Sequence, residues 1–199
     1  MLCVLTRPVF FLFFFLAVAC IFCVQLQSNH SITHINLTDN CIGDPGAVAI
    51  SEALRNNSVL HTIGLGNNKI GSTGTTALAV MLETNEILQR LTLENHQLYI
   101  RDNANKIGVE GIAALAKMLG NNRTLYFLNL TEAVEPDGHD TQKSVRLLAN
   151  ALETSNTTII KLETSPIYDP KLERLLSRNM QTHRASQKLK AKLKRMRSS

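Results

Sequence analysis

The sequence predicts an α/β solenoid, a horseshoe of about four to five stacked strand-helix units whose parallel strands line a concave face. Three features of the 199-residue chain predict it. One residue pattern recurs at an offset of 28. Each copy opens on aliphatics at alternate positions, and each closes on apolar pairs four residues apart.

The first copy reads Ile32, Ile35, Leu37, Asn40, Ile42, Gly43 and Gly46. The second reads Leu60, Ile63, Leu65, Asn68, Ile70, Gly71 and Gly74, every position 28 residues on. Downstream, Ala49–Ile50, Ala53–Leu54 and Asn57 map onto Ala77–Leu78, Met81–Leu82 and Asn85. A third copy starts at Leu88, Leu91 and Leu93. It resumes at Asn105, Ile107, Gly108, Gly111, Ala114–Leu115, Met118–Leu119 and Asn122, now displaced by 37, so it holds nine extra residues. A fourth has Leu125, Leu128 and Leu130, then Leu147–Leu148, Ala151–Leu152 and Asn156, without the Asn-x-Ile-Gly centre. A fifth keeps Ile159, Leu162 and Leu175–Leu176.

Leu-x-x-Leu-x-Leu ends in a period-2 segment, so each unit opens on a short strand with alternate side chains inward. The apolar pairs four apart form one stripe of a helix. Asp44 followed by Pro45 reads as the N-cap and first residue of the first helix. Asn40, Asn68 and Asn105 sit where a turn follows each strand and are expected to hydrogen-bond its backbone. A single unit buries too little apolar surface to offset the ordering of its backbone, so the units must stack.

Asn-x-Ile-Gly-x-x-Gly leading into an Ala/Leu helix at this period resembles the ribonuclease-inhibitor-type leucine-rich repeats. It is similar to the repeat regions of NOD-like receptors and of the Ran GTPase-activating proteins. The resemblance covers residues 26–179 and is specific for the fold; its shared residues are core or turn positions, so residue-level functions do not carry over. The curved array itself reads as a non-enzymatic protein–protein interaction module, binding its partner through the concave face and one loop rim. No cofactor and no metal is implied. The inhibitor's concave face is rich in Trp, and this chain has no Trp. Neither a matched catalytic-arginine motif nor a phosphate-binding P-loop is present. The alternatives are a Ran-type GTPase activator, which would accelerate GTP hydrolysis, and an exported or membrane-tethered recognition protein.

If the strands run as predicted, the residues between the leucines face solvent on the concave side. They are His34, Asn36 and Thr38; Thr62; Arg90, Thr92 and Glu94; Phe127, Asn129 and Thr131; and Lys161 with Glu163. Phe127 is read as an exposed aromatic anchor. Insertions at His96–Ala104 and Ala133–Thr141 fall between a strand and its helix, on one rim. Asp137, His139 and Asp140 share the second insertion, and a solvated loop is the preferred reading over a metal site. Six sequons begin at Asn29, Asn36, Asn56, Asn122, Asn129 and Asn156. Most arise because a unit ends in Asn and the next restarts with Ser or Thr.

Composition separates the two ends from the array. The chain is 44% hydrophobic and 19% charged with net charge +5, a folded rather than a disordered balance. Six of seven Phe and three of four Cys precede residue 24, leaving Cys41 alone in the array. A disulfide-stapled domain is therefore excluded. Residues 1–25 form an apolar head, with sixteen apolar residues from Val9 to Val24. As a helix that run spans about 24 Å against a hydrocarbon core of about 30 Å. It reads as a signal peptide with Ala17-Val18-Ala19 as cleavage site, as a short anchor giving membrane contact through residues 9–24, or as translated intron replacing an earlier repeat's helix. The location of the protein follows that choice: cytoplasmic without the head, membrane or secretory pathway with it. Residues 180–199 form a basic tail. Residues 184–199 carry seven positive charges and no negative one, with Leu189, Leu193 and Met196 at helical spacing. Nucleic acid is not expected as a partner, because the tail has no aromatic residue on which bases stack.

Overall fold

Strand β1 (His34–Asn36) pairs in parallel with β2 (Thr62–Gly64), β2 with β3 (Arg90–Thr92), β3 with β4 (Phe127–Asn129), and β4 with β5 (Lys161–Glu163). The computed structural model describes residues 25–96, 103–134, 138–154, 156, 158–164 and 169–196. Register follows the repeat. Ile35, Ile63, Leu91, Leu128 and Leu162 stand opposite one another along the sheet. Four of these five are buried; Ile35, on the edge strand, is partly so.

A helix follows each strand: α1 (Gly43–Arg55), α2 (Ser72–Leu82), α3 (Val109–Asn121), α4 (Gly138–Thr154) and α5 (Pro170–Met196). Their apolar pairs close one core with the strand leucines, including Ile50 and Leu54, Leu78 and Leu82, Leu115 and Leu119, and Leu148 and Leu152. The sheet face turned away from the helices is concave and carries the residues between the leucines. Among the described residues no helix is long and apolar enough to cross a membrane.

Two ladders of asparagine tie the units together, and both use the amide as donor and acceptor at once. In the first, Asn68 Oδ1 accepts from the backbone of Asn40 (2.8 Å) and Ile42 (3.3 Å), while its Nδ2 donates to the carbonyls of Leu37 and Gly66. Asn105 repeats this one unit on. It accepts from Asn68 N (3.0 Å) and Ile70 N (2.9 Å) and donates to Leu65 O (2.9 Å) and Leu93 O (2.8 Å). The structural role expected for these residues is the one they fill.

The second ladder runs through the helix ends. Asn57, Asn85, Asn122 and Asn156 each donate to the carbonyl of a leucine in the preceding unit: Leu26, Leu54, Leu82 and Leu119, at 2.7 to 2.8 Å. Each amide oxygen then accepts two backbone N–H groups of the next loop, as Asn122 does from Thr124 and Leu125. Leu26 thus holds the position that Leu54 holds one unit later. In the last unit Asn179 donates to Asn156 O and Ile159 O, and Arg178 reaches the carbonyl of Leu152.

This ladder decides the sequons. Asn122 and Asn156 are buried with their Nδ2 atoms engaged, so the nitrogen that a glycan would modify is unavailable in the folded chain. Asn36 and Asn56 are exposed, and Asn29 and Asn129 half-buried. On expression through a secretory pathway, glycopeptide mapping of the folded protein is expected to find no glycan at Asn122 or Asn156. A folded species glycosylated at either position would contradict the ladder.

Helix starts depart from the expected capping. Asp44 does not cap its own helix, whose N-cap position is Ile42 without a side-chain bond. Its Oδ1 instead accepts from Gly71 N (2.7 Å) and Gly74 N (2.9 Å), the first-turn donors of α2. Ser72, at the same position one unit later, likewise accepts from Gly108 N at the start of α3 (3.0 Å). The starts of α2 and α3 are therefore capped by the unit before, which holds only once the units have stacked. Helix α5 is instead capped by its own Asp169, whose Oδ1 accepts from Leu172 N (2.9 Å). Gly74 permits this closeness. A Cβ there would stand 2.7 Å from Asp44 Oδ1, 2.8 Å from Ala47 Cβ and 2.9 Å from Ile70 Cγ2. Gly74→Ala is expected to lower stability by about 1–3 kcal/mol through overpacking, measured by urea unfolding.

One further expectation is corrected. The insertion placed at Ala133–Thr141 is shorter, because Ala133 is fully buried, its carbonyl accepts from Ile107 N (2.8 Å), and Val134 bridges Ile107 in parallel. Helix α4 then begins at Gly138, inside the same stretch. Asp137 and the side chains of His139 and Asp140 lie outside the described residues, as do residues 97–102 of the first insertion and the head through Val24. At the other end α5 runs unbroken for 27 residues from Pro170 to Met196, into the basic tail. Its start is pinned by Lys171, which pairs with Glu153 of α4 at 2.6 Å. The hydrogen bond and charge of Lys171, with Arg174 and Arg178 adding to it, hold the Glu153 carboxyl below its ordinary value. A carboxyl lowered by folding stabilises above its unfolded range, so this pair's contribution is present at neutral pH and fades as pH falls through the lowered value.

Candidate protein interface

The concave face is three rows deep. The first row, in register, is His34, Thr62, Arg90, Phe127 and Lys161; the second is Asn36, Gly64, Thr92, Asn129 and Glu163. Backbone bonds from Asp39 N to Gly66 O, Asn67 N to Glu94 O and Asn95 N to Thr131 O continue the stacking. They set Thr38, Gly66, Glu94 and Thr131 as a third row. All twelve residues read from the sequence as the concave set therefore share one surface, with neighbours in a row on adjacent strands about 4.8 Å apart.

Charge is not spread evenly over it. At the β3–β5 end, the Arg90 guanidinium lies over the Phe127 ring at 4.1 Å from the centroid, and Lys161 Nζ lies at 5.2 Å. Arg90 also stands 6.0 Å from the ring of Tyr126, just before β4. Lys161 pairs with Glu163 in the second row. Phe127 is consequently not the exposed anchor that its position in the strand predicts: it is only 7% exposed. Long cationic side chains from both flanking strands cover the ring, and the ring's negative face favours them there. What solvent meets at this end is a pair of cations over an aromatic floor, with the Glu163 carboxylate beside Lys161.

The β1–β2 end is polar and shallow. Asn36 Oδ1 accepts from Thr38 N (3.0 Å) and Thr38 Oγ1 (2.7 Å), and Asn129 Oδ1 takes Thr131 N in the same way. Gly64 and Gly66 remove two side chains from the middle of the face. A Cβ at Gly64 would come 2.8 Å from Asn36 Oδ1, and one at Gly66 would come 2.7 Å from the carbonyl oxygen of Glu94. Neighbouring side chains lean into the space. Glu94 is one of them: its Oε1 faces His96 Nε2 at 3.7 Å, while buried Oε2 has no hydrogen-bond partner among the described residues. An unpaired buried carboxylate oxygen costs free energy that a donor from outside would recover.

Tyr126 and His96 were missed by the sequence reading. Both fall just outside the Leu-x-Leu window that defines the strand, and they border the face through Arg90, 6.0 Å from the Tyr126 ring, and Glu94, 3.7 Å from His96. Among the described residues no group of three or more His, Cys, Asp or Glu is placed to hold a metal ion.

The family model described as "Leucine Rich repeat" matches residues 28–51, which span β1, the asparagine turn and most of α1. With five parallel strands in register at successive spacings of 28, 28, 37 and 34 residues, the fold is decided. The array is a leucine-rich-repeat solenoid. Among solved structures this leucine-rich-repeat chain is similar to "Leiomodin-1 Actin-Binding Site 2 (ABS2)" at 25% identity, with a TM-score of 0.69, over 86% of this chain and 94% of that one. It is also similar to the tropomodulin C-terminal domain of Caenorhabditis elegans at 15% identity and a TM-score of 0.69, over 86% and 97% of the two chains. That second likeness is one of fold. No curated protein matches the leucine-rich-repeat chain in sequence.

Proposed function

We propose that this chain is a non-enzymatic protein-interaction module of ribonuclease-inhibitor-type repeats. It takes a protein partner on the concave sheet face and on the adjoining rim where strands lead into helices. The observation that carries the reading is the row Arg90–Phe127–Lys161, two cations held over an aromatic ring. Arginine and aromatic residues are the side chains that most often dominate binding energy at protein interfaces. The buried Oε2 of half-buried Glu94, without a hydrogen-bond partner among the described residues, supports the same face as one completed by donors from another molecule.

Actin is the partner we infer. One solved structure, 25% identical over 86% of this chain, is named as an actin-binding site. In co-sedimentation with actin filaments, and in gel filtration with monomeric actin, the full chain is expected to bind saturably to one of the two forms. A chain that stays in the supernatant and elutes apart from the monomer removes actin as the partner.

A further inference from the structure

Helix α5 has two halves with different surroundings. In the first, Leu172, Leu175 and Asn179 are buried against the array. In the second, every residue from Gln181 to Lys190 is exposed, and Leu189 is 59% exposed. A helix that has left its core has no internal reason to stay amphipathic, yet this one does.

At about 100° per residue, Thr182, Ala185, Ser186, Leu189, Leu193 and Met196 fall within an arc about 100° wide. Arg184, Lys188, Lys190, Lys192, Lys194 and Arg195 all fall outside it. The charge is one-sided as well: after Glu173 the chain carries no acidic residue and nine Lys or Arg.

We propose that the distal half of α5 lies on an anionic lipid bilayer, its uncharged arc sunk among the headgroups and its basic side chains on the lipid phosphates and carboxylates. A cluster of four to eight basic residues on an amphipathic helix is the pattern that binds acidic lipid surfaces. Other occupants fit less well. Nucleic acid gives the apolar arc no role. A second copy of the helix would set like charges against each other. A deep groove on an acidic protein calls for a bulky aromatic anchor, and the arc holds only two leucines and one methionine among small residues. The inference is independent of the concave-face reading.

The test is sedimentation of the full chain with vesicles of phosphatidylcholine, alone or with about 30% phosphatidylserine, in about 0.1 M salt. The apolar head is common to every version compared, so differences between lipid compositions and between variants belong to α5. The wild-type chain is expected to bind the phosphatidylserine vesicles at least about 100-fold more tightly than the neutral ones. The triple variant Lys188→Gln, Lys190→Gln, Lys192→Gln is expected to lose about 100-fold of that affinity, roughly fivefold per charge. Leu189→Ser with Leu193→Ser, which keeps every charge, is expected to lose about tenfold. These positions lie beyond the packed half of the helix, so urea unfolding of all three proteins should coincide. Equal binding to both lipid compositions overturns the proposal, as does full retention of affinity by the triple variant. Capture of the helix by an acidic protein without binding to either vesicle also overturns it.

Discussion

Asn105→Ala is expected to lower the stability of the chain by about 3–5 kcal/mol, among the largest effects of any single substitution here. Asn105 is buried, and its amide makes four hydrogen bonds, every one to backbone: Asn68 N, Ile70 N, Leu65 O and Leu93 O. Alanine cannot replace any of them. Each orphaned backbone group costs about 1–3 kcal/mol when it stays buried, less where water follows into the space. The damage also has a place. Asn105 joins the turns of the second and third units at the middle of the array, where each unit contacts only its neighbours. Urea unfolding followed by circular dichroism should therefore show a lower midpoint and a broadened or split transition. Loss of less than about 1 kcal/mol would mean the ladder holds register without carrying stability.

Arg90→Glu combined with Lys161→Glu is expected to weaken the proposed binding of actin by about 100-fold, close to 3 kcal/mol. Both cations lie on the Phe127 ring and form what a partner first meets at that end of the face. Reversal replaces attraction with repulsion toward the same partner. The cost to folding should stay within about 2 kcal/mol, since two exposed cation–π contacts are lost and each is worth about 0.5–1 kcal/mol. Glu52→Lys, on the exposed side of α1, is the matched control and should leave affinity unchanged. Phe127→Ala removes the floor under both cations and should weaken binding as well. Unchanged affinity in the double variant and in Phe127→Ala together would end the concave-face reading.

Much of the fold is legible in the sequence, because the features that define it are local and periodic. The alternation Ile35–Leu37, the pair Ala53–Leu54 and the recurring Asn40, Asn68 and Asn105 each lie within one unit. They give strand, helix and turn without knowledge of the neighbours. The corrections all concern contacts between units. Asp44 reads as a cap for its own helix, yet it serves Gly71 and Gly74, 27 and 30 residues away. Phe127 reads as exposed because nothing within its own unit covers it; Arg90 and Lys161 arrive from the flanking strands. Ala133–Val134 reads as inserted because the Asn-x-Ile-Gly centre is missing. The pair nonetheless meets Ile107 of the preceding unit and belongs to the core. The candidate surface follows the same division. Its twelve residues follow from strand alternation, whereas its charge arrangement depends on which side chains lean across rows.

The central claim is that the sheet face, and not the helix face, takes the protein partner. Lysine acetylation read by mass spectrometry tests it with the native chain. Lys161 on β5 and Lys117 on α3 are both solvent-accessible, at 58% and 70% side-chain exposure, and they stand on opposite surfaces. In complex with actin, the labelling rate at Lys161 is predicted to fall at least about tenfold while that at Lys117 stays the same. Protection of Lys117 with free labelling of Lys161 would contradict the account.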